Sequence, residues 1–344
     1  MPKMPPRTDI PTFWRDPGAV YLHLGENPAP PSQRVQRAIA EAAQHVNRYP
    51  DTNCAVLRET LAVYVGYGAE AKHIIVGNGS DELIDLAVAA LTEEGELVAT
   101  FEPSFFVYRF AAQRHNRGVI RIDRSASFDL PQPDAISHAP ALAFIANPNN
   151  PTGTLAPRGH LLAVIDALPG IKVVDECYFE FCDETLVDLI HKRDDLIIFR
   201  SLSKSFGLAG LRIGYAVANE ALIERMAGAA LTFSVNAIAQ AAALAAFDEI
   251  DEVRQRVAQL IEQRDWLANE LQALGVETAP SHANFVLALW PQGADPAAVL
   301  RAANIYVSNQ SANIGGERIA LRIGVGTREE NQRVIDALTN KNVD

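Results

Sequence analysis

The chain is poor in cysteine, and the three it has, Cys54, Cys177 and Cys182, form no CxxC pair. An odd, scattered set indicates neither a disulfide framework nor a metal site, and a reducing, cytoplasmic setting is expected. A basic excess is also missing. The formal net charge of -12 counts against a nucleic-acid partner, because a phosphate backbone rewards a basic face. The opening "MPKMPPRTDIPTFW" lacks the apolar core of a secretory signal and is broken by prolines. The longest uncharged run, Met226 to Phe247, approaches membrane-spanning length, but it carries Thr232, Ser234, Asn236 and Gln240 and is largely alanine. It predicts a packed interior helix and no membrane partner. Internal repeats and low-complexity linkers are absent as well.

What remains is ordinary for a folded enzyme-sized chain: 344 residues, 48% apolar and 21% charged, enough for one large domain with a smaller companion. Residues 1–31 are proline-rich and read as an arm, with "VYLHLGENP" the segment of strand-like alternation. Beyond it, "VQRAIAEAAQHV", "AVLRETLAVYVG" and "DELIDLAVAALT" carry helical periodicity. "HIIVGNGS", "LVATFEPS", "ALAFIANPNNPTG", "IKVVDECYFEF" and "LIIFRSLS" are short apolar strands that run out into polar or glycine-rich sequence. Alternating helices and strands predict an α/β fold with a mainly parallel central sheet sandwiched by helices over residues 32–247. The charged helix "EIDEVRQRVAQLIEQRDWLANELQALG" then leads into a smaller α+β domain, 248–344, with "NFVLALW" and "RIALRIGVGT" as strands.

Ligands in open α/β sheets collect at strand ends. The ends here carry Gly77, Gly79, Ser80, Asn147, Asp175, Tyr178, Ser201, Ser203, Lys204 and Arg212. Each has a structural explanation alone; Ser80, for instance, suits a helix N-cap. Together they fit pyridoxal 5'-phosphate, which needs a lysine amine for a Schiff base, an acid that keeps the pyridine nitrogen protonated, and a phosphate cradle. Lys204 is the amine and Asp175 the acid. Asn147 and Tyr178 are placed for the phenolic oxygen. Gly79, Ser80 and the adjoining Asp81 open a helix whose N–H groups, with Ser201, Ser203 and Arg212, suit a phosphate.

The segments "LGENP", "NRYPD", "GNGSDELIDL", "NPNNPTG", "VVDECYFEF", "SLSKSFGLAGLRIGY", "FSVNAIAQ" and "LRIGVGTREEN", in that order, resemble fold-type-I pyridoxal-phosphate enzymes. Within that group the whole chain is similar to the histidinol-phosphate aminotransferases. The resemblance implies a homodimer with shared active sites, in which Tyr49 reaches the cofactor phosphate of the other subunit. It implies that Arg322 binds the substrate carboxylate, with Asn27 beside the substrate, and that Phe105 stacks on the ring where relatives usually place a tyrosine.

Two departures concern the substrate. Close relatives have an arginine in the strand before "LRIGVGT", where this chain has Ser308. A tyrosine that relatives carry near the start of the arm has no clear counterpart, Phe13 and Trp14 standing nearest its place. The implied reaction exchanges an amino group between an amino substrate and a 2-oxo acid, glutamate and 2-oxoglutarate serving as the second pair. The cofactor motifs equally serve a threonine-phosphate-type decarboxylase, or elimination and cyclisation on a polar or basic amino acid.

Overall fold

The computed structural model describes residue 16, residues 18–315 and residues 317–339. Phe13 and Trp14, and most of the expected arm, lie outside them. The strands are β1 (Val20–Tyr21), β2 (Ile74–Gly77), β3 (Leu97–Glu102), β4 (Gly118–Asp123), β5 (Leu142–Ala146), β6 (Ile171–Asp175), β7 (Leu196–Ser201), β8 (Gly214–Ala218), β9 (Glu277–Thr278), β10 (Phe285–Trp290), β11 (Ile305–Tyr306), β12 (Ser308–Asn309) and β13 (Ile319–Gly324). The α-helices are α1 (Gln33–Ala43), α2 (Ala55–Val65), α3 (Ser80–Leu91), α4 (Val107–Arg114), α5 (Arg158–Ala167), α6 (Glu220–Ala229), α7 (Ala237–Phe247), α8 (Ile250–Ala273), α9 (Pro296–Ala302) and α10 (Arg328–Thr339).

Seven strands form the large sheet in the order β2-β8-β7-β6-β5-β3-β4. All neighbours pair in parallel except at β8, which runs antiparallel to both β2 and β7. The expected mainly parallel sheet is present, and β4 and β8 join the strands read from the sequence. The strands are apolar throughout because both faces are covered. Along β5, Ala143 and Ile145 enter one core while Leu142, Phe144 and Ala146 enter the other. That is the two-residue period of a strand between two layers of helix. Helices α2, α5 and α7 supply one layer, α3, α4 and α6 the other.

The smaller sheet, β12-β13-β10-β9, is antiparallel. A third core lies on it, formed by Val286, Ile323 and Leu321 with Leu267, Leu271 and Val334. Helix α8 belongs to both units: Val253, Val257 and Leu260 enter the large core, Leu267 and Leu271 the small one. Strand β1 pairs in parallel with β11, and the Leu22 N–H donates to the Tyr306 carbonyl, so the end of the arm is bound to the smaller unit.

Two local expectations are corrected. The run from Met226 to Phe247 is not one helix. It holds the end of α6 and all of α7, because Asn236 leaves the helical conformation and caps α7, its Oδ1 accepting from the Ala239 N–H, while Leu231 between them is exposed. Ser80 is the first residue of α3 rather than its cap. Gly79 takes the cap position with φ 84, a left-handed conformation in which glycine has no side chain to clash.

Candidate active site

Strand register collects the chemistry at one edge of the large sheet. Ala146 lies beside Asp175, and Asp175 beside Phe199. One step further, Gly214 at the start of the antiparallel β8 pairs with Ser201 on one side and Gly77 on the other. The carboxyl ends of β2, β5, β6 and β7 therefore open together into a cavity of about 1010 Å³, whose far wall is β12, β13 and the arm.

One end of the cavity is a polar cradle. A Cβ at Gly79 would come within 2.5 Å of the Arg212 guanidinium, and one at Gly214 within 2.6 Å of the Ser80 amide nitrogen, so both must be glycine for the helix start and arginine to meet. Arg212 Nη2 donates to Asp81 Oδ2 at 3.1 Å, and Nη1 reaches toward Ser203 Oγ at 3.5 Å. Ser201 Oγ accepts from the Ser203 N–H at 3.2 Å, which fixes the two hydroxyls relative to each other. The N-terminal N–H groups of α3, these hydroxyls and the guanidinium form a site for an anion such as a phosphate, and Asp81 acts there by holding Arg212.

The middle of the cavity holds Asp175. Burial pushes its carboxyl above the usual carboxylate range, opposed by hydrogen bonds from the Cys177 thiol, the Tyr108 hydroxyl and the Cys177 N–H. The Cys177 N–H donates to Oδ1 at 3.0 Å and the Tyr108 hydroxyl to Oδ2 at 2.5 Å. Tyr178 is buried at the wall, edge-on to Phe285 at 5.4 Å, and burial raises its phenol, which stays protonated. Phe105 lines the same cavity.

Asn147 does not face it. Its Oδ1 accepts from the Ala156 N–H at 2.8 Å, and its side chain turns toward Arg158 and Glu176 on the other side of the chain. The asparagine in the cavity is Asn150 of the same "NPNNPTG", whose Oδ1 accepts from Arg322 Nη1 at 2.6 Å. The strand ends at Ala146, so the following loop, rather than the strand itself, sets which asparagine turns inward.

Lys204 is held by the arm, its Nζ donating to the Leu24 carbonyl at 3.0 Å. Desolvation, followed by the nearby Arg322 and then Arg212 cations, lowers its pKa to about 8. Arg322 stands opposite on β13, Nη2 donating to the His23 carbonyl at 2.7 Å, while its buried Nε has no partner. Ser308 pairs with Arg322 across β12 and β13, lines the cavity, and accepts from Gln310 Nε2 at 2.8 Å. Asn27 is used elsewhere: its Nδ2 donates to the carbonyls of Lys204 and Ser205, both at 3.2 Å, pinning the arm to the lysine loop. Tyr49 is 82% exposed and stacked on Phe233 at 4.5 Å, away from this chain's own cavity.

His23, Glu26 and Arg301 also line the cavity and were not singled out from the sequence. The first two sit in "LHLGENP", three positions from each other; Arg301 gave no signal, being one cation on an amphipathic helix. An amine, a buried carboxylate and an anion cradle on three sides of one cavity fit pyridoxal phosphate. The unpartnered Arg322 Nε is a further donor for a polar ligand group.

Residues 19–338 match the family described as aminotransferase class I and II. A histidinol-phosphate aminotransferase from Thermobifida fusca is 36% identical over 322 residues, covering 90% of this chain and 86% of that one. The solved structure of a putative histidinol-phosphate aminotransferase from Erwinia carotovora atroseptica superposes with a TM-score of 0.85 at 25% identity, covering 94% of this chain and 95% of that one. An L-threonine-O-3-phosphate decarboxylase from Porphyromonas gingivalis has the same fold, with a TM-score of 0.82 at 24% identity over 93% of this chain and 98% of the other.

Proposed function

The chain belongs to aminotransferase class I and II and is a pyridoxal-phosphate-dependent aminotransferase of fold type I, and from that premise we propose that its amino substrate is histidinol phosphate, with glutamate and 2-oxoglutarate as the second pair. The observation that carries this reading is Arg322. It places one guanidinium across the cavity from Lys204, with its Nε unpartnered. In a reaction whose two substrates enter the same cavity in turn, such a group takes the phosphate of one and the carboxylate of the other.

When bound, pyridoxal phosphate supplies the carbonyl that takes up the amino group and the electron sink for charge developing at the substrate Cα. The protein's part is division of labour around it. Arg212, Ser80, Ser201 and Ser203 would hold its phosphate, Asp175 its pyridine nitrogen, and Tyr178 and Asn150 its phenolic oxygen, with Phe105 against the ring. Lys204 Nζ takes the Cα proton and returns it. An amine with a pKa near 8 accepts a proton at neutral pH more readily than an ordinary lysine, because a larger share of it is unprotonated. Arg322 fixes the substrate so that this one Cα bond faces Lys204.

The finer expectations belong to the same reading. The enzyme works in the cytoplasm, as two domains meeting at about residue 248, and as a homodimer in which Tyr49 serves the neighbouring site. Tyr49 and Leu231, 82% and 75% exposed, suit a face covered by a second copy. Among the described residues no helix is long and apolar enough to cross a membrane.

The test is to mix the purified enzyme with histidinol phosphate alone and follow the cofactor's visible spectrum. Conversion to the pyridoxamine form, reversed by 2-oxoglutarate, is expected. Release of carbon dioxide from threonine phosphate, with no such conversion by histidinol phosphate, would replace this reading by the decarboxylase.

A further inference from the structure

We propose that Tyr108 is a positioning residue that acts through Asp175, its hydroxyl holding the carboxylate in the ionised form and orientation that keep a proton on the cofactor's pyridine nitrogen. This rests on the reading of Asp175 as the partner of that nitrogen.

Tyr108 is fully buried in α4 and lies flat against Phe144 of β5, ring centroids 4.8 Å apart and planes 3° from parallel. Phe105 packs against it at right angles, ring centroids 5.7 Å apart. Held by these two rings, the phenol donates to Asp175 Oδ2 at 2.5 Å, the length of a strong charge-assisted bond. Burial raises the phenol well above its usual pKa, so it serves as a neutral donor throughout the working range.

The remaining groups around Asp175 leave this donor a distinct part. Cys177 holds the carboxylate as well, through its N–H on Oδ1 and through its thiol, and Asp81 from α3 is an anion that opposes ionisation. The buried Arg124 donates to the carbonyls of Phe101, Phe128 and Ala146 and is within electrostatic reach of Tyr108. Without the hydroxyl, the carboxylate's proton affinity rises and the proton moves from the pyridine nitrogen toward Asp175.

Tyr108→Phe keeps the stacked ring and removes only the donor. Pyridoxal phosphate is expected to bind about tenfold more weakly, as loss of a hydrogen bond to a buried charge typically gives. The analogue with carbon in place of the pyridine nitrogen should bind with wild-type affinity, and the double variant with Asp175→Asn should bind no worse than Asp175→Asn alone. The pH at which the bound cofactor's visible band changes should move alkaline by roughly half a unit. Equal weakening for cofactor and analogue would make Tyr108 a packing residue and overturn the proposal, as would unchanged binding of both. If Asp175→Asn itself leaves cofactor affinity intact, the underlying assignment of Asp175 fails instead, and the proposal with it. Should Tyr108→Phe not fold, 3-fluorotyrosine at 108 provides the test: a more acidic donor must shift the band acidic, and no shift overturns the proposal.

Discussion

The cofactor end of the cavity and the substrate end are built differently. The cofactor end comes from the ends of neighbouring strands in one sheet, where register alone brings Asp175, Ser201 and the Gly77–Gly79 turn together. The substrate end is assembled from separate pieces: the arm at His23 and Leu24, helix α9 at Arg301, and β12 and β13 at Ser308 and Arg322. None of these is a sheet neighbour of Lys204. A rigid parallel sheet is suited to a group that stays, and a wall of joined pieces is suited to substrates that enter and leave by turns. At the junction the arm's carbonyls at Leu24 and His23 receive Lys204 and Arg322, so the two key cations share one short segment.

The comparison breaks most sharply at Lys204. Lys204→Met should abolish turnover, a loss of many orders of magnitude, while the chain still folds. Its cofactor-free form should even be more stable near neutral pH. A lysine whose pKa is about 8 folded and near 10.4 unfolded binds its proton less well in the folded state, so the wild type carries a penalty below pH 8 that fades as pH rises toward the unfolded value. Thermal melts of the two cofactor-free proteins should differ by about 3 kcal/mol at pH 7 and converge above about pH 10. A constant difference across that range would mean the lysine is not desolvated.

Tyr49 tests whether the cofactor end is complete within one chain. If its phenol serves the neighbouring site, Lys204→Ala and Tyr49→Ala chains mixed to exchange give heterodimers with one doubly damaged site and one intact site. Activity should rise to about a quarter of wild type, since random exchange makes half the dimers mixed. No recovery after confirmed exchange would place Tyr49 in its own subunit's site or outside both.

The asymmetry also explains what the sequence made legible. The strands β2, β3, β5, β6 and β7, Lys204, Asp175 and the cradle could be read because each lies in a short contiguous motif at a strand end. The sequence points to Asn147 because it directly follows the strand, whereas Asn150 lies where strand periodicity has stopped and only the course of the loop decides which asparagine turns in. Tyr108 carried no motif of its own, since its partner lies 67 positions away and is met only when β3 and β6 flank β5. Met226 to Phe247 was read as one helix because composition records polarity but not the capping geometry of Asn236. The substrate wall was least legible, as residues from the arm, α9 and β13 meet only in the folded chain.

The smallest expected effect lies in that wall, at Ser308. Its hydroxyl is held by Gln310 and cannot replace a guanidinium's paired donors. Arg301, exposed at the end of α9, is a cation on the cavity lining that can stand in for the missing one, from the rim instead of the strand. A rim cation in water contributes less than a buried one, about 0.2–1 kcal/mol. Arg301→Gln should therefore raise KM for histidinol phosphate only a few-fold, leave KM for histidinol, which lacks the phosphate, unchanged, and lose its effect at high salt. Ser308→Arg should do the reverse, improving histidinol phosphate over histidinol. If neither substitution alters the ratio of specificity constants for the two substrates, Arg322 alone recognises the phosphate, and the wall built from separate pieces contributes shape rather than charge.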